Sequence, residues 1–132
     1  VGALMAGMEI VDARYVDYSK LDMPTLLADD FFDAGCVLGP AVHDFRAVDL
    51  ESVVGVTTIN GVEVGRGRGA DVMGHPFEAL AWLANRRSQR GLGIDAGEFV
   101  FLGSVVETKW VAAGDHVVME LEGLGRIEAR FT

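Results

Sequence analysis

The chain has 132 residues, half of them hydrophobic, and 20 acidic against 11 basic side chains give it a formal net charge of −9. That length and hydrophobicity predict one folded domain with its own core and exclude a disordered chain, which needs low hydrophobicity and high net charge. A surface of that sign repels phosphate backbones and argues against nucleic-acid partners, while it is compatible with a carboxylate-lined cation site.

The opening run "VGALMAGMEI" carries no basic leader and no cleavage pattern, so it does not read as a secretory signal. It lacks an initiator Met and enters directly into an apolar run, as expected of a processed chain or one cut from something longer. No stretch is long and apolar enough to predict a bilayer span. "MEIVDARYVDY", Met8 to Tyr18, reads as a strand. Alternation sets Glu9, Val11 and Ala13 on one face and Met8, Ile10 and Asp12 on the other. An unpaired ionised carboxylate is costly in an apolar setting, so Glu9 is expected to be exposed, protonated, paired or bound to a cation.

"DYSKLDMPTLLADDFFDAG" contains a short helix, with Pro24 in its first turn and Leu26 and Leu27 facing inward. The strand "CVLGPAV" follows. Cys36 is the only cysteine. It is expected as a small core residue, no internal disulfide is available to it, and a reducing cytoplasm is the natural setting. "VGVTTINGVEVGRG" is the clearest local signal, because Asn60-Gly61 between β-rich arms predicts a hairpin whose two turn positions need positive φ. "GRGRGADVMG" has glycine spacing reminiscent of a phosphate loop, but the helix starts several residues later and no βαβ context surrounds it. These glycines read instead as a twisted strand end or bulge, from which Arg66 and Arg68 point the same way.

The main helix is predicted over about residues 75–90, "HPFEALAWLANRRSQR". Pro76 opens it, Phe77, Leu80, Ala81, Leu83 and Ala84 recur at helical spacing, Arg86, Arg87 and Arg90 suit its C-terminal dipole, and Gly91 ends it. "GEFVFLGSVVE" and "DHVVMELEGLGRIEARF" read as β segments. In the second, Val117, Met119 and Leu121 alternate before the "EGLG" turn, and Ile127, Ala129 and Phe131 alternate after it. The fold class is therefore α+β, mostly β, with a single domain over 1–132 and no repeat or linker.

His43, His75 and His116 are scattered and lack zinc-ligand spacing. Ser104 after Gly103 offers a hydroxyl and backbone N–H groups to an anion, although an ordinary turn would look the same. Carboxylates are the stronger lead. Glu9 and Asp12 lie on the first strand, and Asp29, Asp30 and Asp33 follow the short helix. Such oxygen donors suit Mg²⁺ or Mn²⁺, and the alternative for an acidic cluster is solvated surface.

Taken together and in order, "MEIVDARYVDY", "LLADDFFDAGCVLGPAV", "GVEVGRGRGADVMGHPFEALAWLANRRSQRG" and "LGSVVETKWVAAGDHVVMELEGLGRIEARF" resemble the C-terminal part of the fumarylacetoacetate hydrolase superfamily. The similarity is greatest to its branch of 2-hydroxypenta-2,4-dienoate (2-keto-4-pentenoate) hydratases and 4-oxalocrotonate decarboxylases. The resemblance implies a mixed β-roll and a divalent cation, Mg²⁺ or Mn²⁺, held by three carboxylates. It also implies a small 2-oxo or 2-hydroxy acid that is hydrated or decarboxylated through a metal-bound enolate. By the same resemblance Glu9 is the third metal ligand, Gly103 and Ser104 bind the substrate carboxylate, and Asp29 and Asp30 shape the pocket or orient water.

Two departures qualify that picture. The family's other two metal-binding glutamates and its assisting lysine lie upstream of the matched segment. Where the family tends to carry a segment like "ADNASSGG", this chain has "ADDFFDAG", with Asp30, Phe32 and Asp33 adding charge and bulk. The expectation is thus a lyase-like domain that is incomplete by itself. Its alternative is a non-catalytic, oligomeric relative that has lost the metal site, with self-association through uncovered apolar strand surface.

Overall fold

The computed structural model describes all residues, 1–132. Its elements in order are β1 (Gly7–Val11), α1 (Met23–Ala28), β2 (Asp33–Leu38), β3 (Val54–Ile59), β4 (Val62–Arg68), α2 (Pro76–Ser88), β5 (His116–Leu121) and β6 (Gly125–Arg130). The mostly-β class with one main helix holds. A four-stranded antiparallel sheet runs in the order β4-β3-β5-β6, and β1 and β2 form a separate antiparallel pair.

The sheet grows from local signals. Asn60 (φ 52°) and Gly61 (φ 81°) both adopt the left-handed conformation that the two-residue turn between β3 and β4 requires. Asn60 also reaches out of its own hairpin. Its Nδ2 donates to Asp115 Oδ1 at 2.7 Å, and its Oδ1 accepts from the His116 backbone N–H at 2.9 Å. One side chain thus ties the turn to the start of β5. The register moves from Thr57 opposite Gly65 to Thr58 opposite Glu63, so Val64 is the extra residue of a bulge in β4.

The glycines of "GRGRG" have a further cause. A Cβ at Gly67 would overlap the Val105 carbonyl oxygen, and one at Gly65 would press on Val106 and Lys109. The chain segment after α2 lies directly on this face of β4, so side chains are excluded there.

Met8 and Ala6 pack with Val117 and Ile127 in one core cluster, and Leu50, Val53 and Leu124 make a second. Only 12 of the 132 residues are buried. For a sequence that is half hydrophobic, this leaves many large apolar side chains open, Val16, Val62 and Trp110 among them. In α2 the His75 Nδ1 accepts from the Phe77 backbone N–H at 3.0 Å and caps the helix, with Pro76 in its first turn. No helix is long and apolar enough to cross a membrane.

Several expectations need correction. The first strand stops at Val11 rather than Tyr18, because the ladder breaks at a register shift between Ile10 and Val11 and meets a left-handed turn in the partner chain segment. Cys36 is exposed rather than part of the core, since its register places it on the open face of β2. Leu27 is 64% exposed and only Leu26 turns inward, and on α2 Ala81 and Ala84 face solvent. "GEFVFLGSVVE" forms no ladder: the segment is laid on a sheet face instead of along a strand edge, and apolar content alone does not distinguish those two fates.

Candidate functional site

A cleft of about 1170 Å³ runs beside the β1–β2 pair and the segment that follows α2. Its wall is largely apolar and includes Met8, Thr57 and Met119, with Glu9, Gly103 and Ser104 among its polar positions. Strand alternation explains the placement of Glu9. Met8 turns into the core, so Glu9 must turn out, directly opposite Cys36 on β2. Glu9 is exposed, and no hydrogen bond or ion pair engages its carboxylate. Of the four outcomes open to it, exposure is the one observed.

Gly103 has φ +122°, a conformation that favours glycine, and the turn it makes leaves Ser104 exposed at the cleft. Neither residue donates its backbone N–H to another backbone group. Two N–H groups and a hydroxyl therefore stand together with the donor chemistry a carboxylate needs.

Asp29 and Asp30 are not among the residues lining this cleft. Asp29 caps the end of α1 and is committed to Arg14, whose Nε donates to Asp29 Oδ1 at 3.2 Å and whose Nη2 lies 3.0 Å from Oδ2. The Arg14 guanidinium also donates to the Asp29 and Asp33 carbonyls, at 3.1 and 3.0 Å. It thereby brackets Asp30, Phe31 and Phe32, three successive non-glycine residues with φ of 53°, 51° and 69°. A left-handed run of that kind is disfavoured by roughly 1–2 kcal/mol per residue and persists only where surrounding bonds over-determine it. Hydrogen bonding from Arg14 holds the Asp29 carboxyl below the usual carboxylate range, and burial together with the Asp29 charge pushes the Tyr15 phenol up.

The structure thus brings Glu9, Gly103 and Ser104 to one cleft and leaves Asp29 and Asp30 in a separate network. Arg14, which organises that network, escaped the sequence reading. An arginine two positions after Asp12 carries no signal until the chain folds back on it. The histidines remain apart: His43 Nδ1 lies 3.1 Å from the Gly2 carbonyl, His75 caps α2, and His116 lies 3.4 Å from Glu128.

Nowhere do three His, Cys, Asp or Glu side chains gather closely enough to hold a metal ion. Mg²⁺ demands near-octahedral oxygen coordination and Ca²⁺ takes six to eight oxygens. One free carboxylate fits a single position of such a shell, so the side chains of these 132 residues do not make up a resident metal site.

Comparison with known proteins places the whole chain in a family. The model of the fumarylacetoacetate (FAA) hydrolase C-terminal family matches residues 1–132. A 4-oxalocrotonate decarboxylase of Pseudomonas putida is 36% identical over 124 residues, covering 94% of this chain and 47% of that protein. A 2-hydroxyhexa-2,4-dienoate hydratase of Comamonas testosteroni is 37% identical over the same length. The solved 4-oxalocrotonate decarboxylase from Pseudomonas putida G7, complexed with magnesium and adipate, superposes with a TM-score of 0.88 at 34% identity. That match covers 97% of this chain and 48% of the decarboxylase, and a second structure of the enzyme is complexed with calcium and acetate. The chain spans about half the length of the curated relatives it matches. Fold, motif order and identity along the whole chain lead to one conclusion: it belongs to the fumarylacetoacetate hydrolase family, whose C-terminal part it matches.

Proposed function

We propose that this chain is one part of a cytoplasmic lyase that hydrates or decarboxylates a small 2-oxo or 2-hydroxy dienoic acid. It supplies one carboxylate and an acid-binding turn to a site whose remaining carboxylates come from outside these 132 residues. The observation that carries this reading is the free Glu9 carboxylate on the same cleft as Gly103 and Ser104, in a chain 36% identical to a 4-oxalocrotonate decarboxylase. In this reading the Ser104 hydroxyl and the N–H groups of Gly103 and Ser104 bind the substrate carboxylate, and the apolar wall limits water at the reacting end. Asp29 and Asp30 act on the shape of the turn after α1, with Asp29 fixed by Arg14.

The test is paramagnetic broadening of amide signals by Mn²⁺. Broadening is expected around Glu9, weak because one carboxylate is a small part of a coordination shell, and absent in Glu9→Gln. Identical broadening in both proteins removes Glu9 from the site. In an active assembly, equal nonzero hydration of 2-hydroxypenta-2,4-dienoate by wild type and Glu9→Ala would remove it from the reaction.

A second reading is a non-catalytic, self-associating relative. The lack of any three-ligand cluster favours it, as does the amount of large apolar surface left open. It gains if calorimetry detects neither Mn²⁺ nor oxalate binding while the chain forms a stable homo-oligomer.

A further inference from the structure

Thr57 is the one buried polar residue of the chain, 5% exposed within β3. Its Oγ1 makes no hydrogen bond. Two other buried side-chain atoms share that lack, Asp29 Oδ2 and His116 Nε2, but each faces a charged group, Arg14 at 3.0 Å and Glu128 at 3.4 Å. A hydroxyl buried without a partner opposes folding, and valine would suit the same strand position without that cost.

Thr57 lines the cleft that also holds Glu9, Gly103 and Ser104. It stands directly opposite Gly65 of β4 and Met119 of β5. Val105 packs over Gly55, two residues earlier on the same strand face, and Val106 and Lys109 pack over Gly65. Thr57 is thus flanked by the two residues that directly follow Ser104.

In the lyase reading the substrate carboxylate is held at Gly103 and Ser104, and the rest of the wall is largely apolar. Conjugate addition of water to a 2-oxo enoic acid puts the hydroxyl on C4, β to the oxo group, and the proton on C3. That C4 oxygen is the polar atom of the product's tail, and a neutral hydroxyl can both donate to it and accept from it. A second carboxylate on the tail would instead need a charged partner, and Lys109 is already paired with Glu107.

We propose that Thr57 binds the C4 hydroxyl of a hydrated 2-oxo acid, its Oγ1 turning to the cleft by rotation about χ1 when that oxygen arrives. The inference rests on the lyase reading and assigns the chain to hydration within it.

The test is an NMR titration of the full chain with 4-hydroxy-2-oxopentanoate and with 2-oxopentanoate, which differ only at C4. Wild type is expected to bind the hydroxy acid about fivefold more tightly, the worth of one neutral hydrogen bond. Thr57→Val is expected to lose that preference, to bind 2-oxopentanoate as wild type does, and to melt at or above the wild-type Tm. Thr57→Ser, which restores a hydroxyl, is expected to keep the preference. The same preference in wild type and Thr57→Val, or none in wild type, overturns the role of Thr57 and leaves the acid-binding turn standing. A Tm several degrees below wild type in Thr57→Val shows that the hydroxyl is bonded within the fold, which also overturns the inference. Unmoved Gly103 and Ser104 amides with both acids overturn the acid-binding turn and this inference together.

Discussion

The sheet β3–β6 and the segment Phe99–Val111 are built from similar residues and meet opposite fates. Val56, Ile59, Val117 and Ile127 lie in ladders whose N–H and C=O groups are paired strand to strand. Val100, Val105 and Val106 are as suited to a strand, and their backbone groups pair with nothing in the main chain. The difference is a partner. β4 follows β3 through a two-residue turn, β6 follows β5 through a three-residue one, and the Asn60 side chain ties the first hairpin to the second. Nothing comparable delivers an edge to the segment after α2. It is seated on the sheet by van der Waals packing over Gly65 and Gly67. β-propensity therefore marks where a strand can form, and a neighbouring edge decides whether it does.

The comparison can be broken most forcefully from the sheet side. Ile127 is 5% exposed in the cluster that joins β1 to the sheet, so Ile127→Ala should cost about 2–5 kcal/mol in urea unfolding. A cost near zero would mean that this small core does not hold the two sheets together. From the segment side, Gly67→Ala forces a methyl group into the Val105 carbonyl. Displacement of the segment should cost about 1–3 kcal/mol and alter chemical shifts across residues 103–109. A neutral outcome would show that the segment is not seated on β4.

The smallest expected effect concerns the turn bracketed by Arg14. Because the Asp29 carboxyl is held below its ordinary value, its contribution is complete above the unfolded value of about 4 and fades as pH falls through the lower folded value. Arg14→Gln should therefore lower the Tm at neutral pH, and its gap from wild type should narrow in acid below about pH 4. A gap constant from neutral to strongly acid solution would show that the ion pair does not couple to folding.

Much of the fold is legible in the sequence. The Asn60-Gly61 hairpin, the β5–β6 hairpin and α2 behind His75-Pro76 are carried by turn chemistry and periodicity over short chain distances. Cys36 and Leu27 depart from expectation for a common reason: with so little of the chain buried, an apolar side chain is a poor guide to which face is covered.

The candidate site divides along the same line. Sequence alone set the alternation that turns Glu9 away from Met8, the glycine that frees Ser104, and the order of motifs that marks the family. These are local or statistical properties of the chain. Only the tertiary structure decided that Glu9 and Ser104 share a cleft, that Asp29 belongs to Arg14 instead, and that Phe99–Val111 lacks a ladder. Each of those outcomes depends on groups distant in sequence meeting in space, and such meetings are fixed by packing and by which main-chain edges find partners.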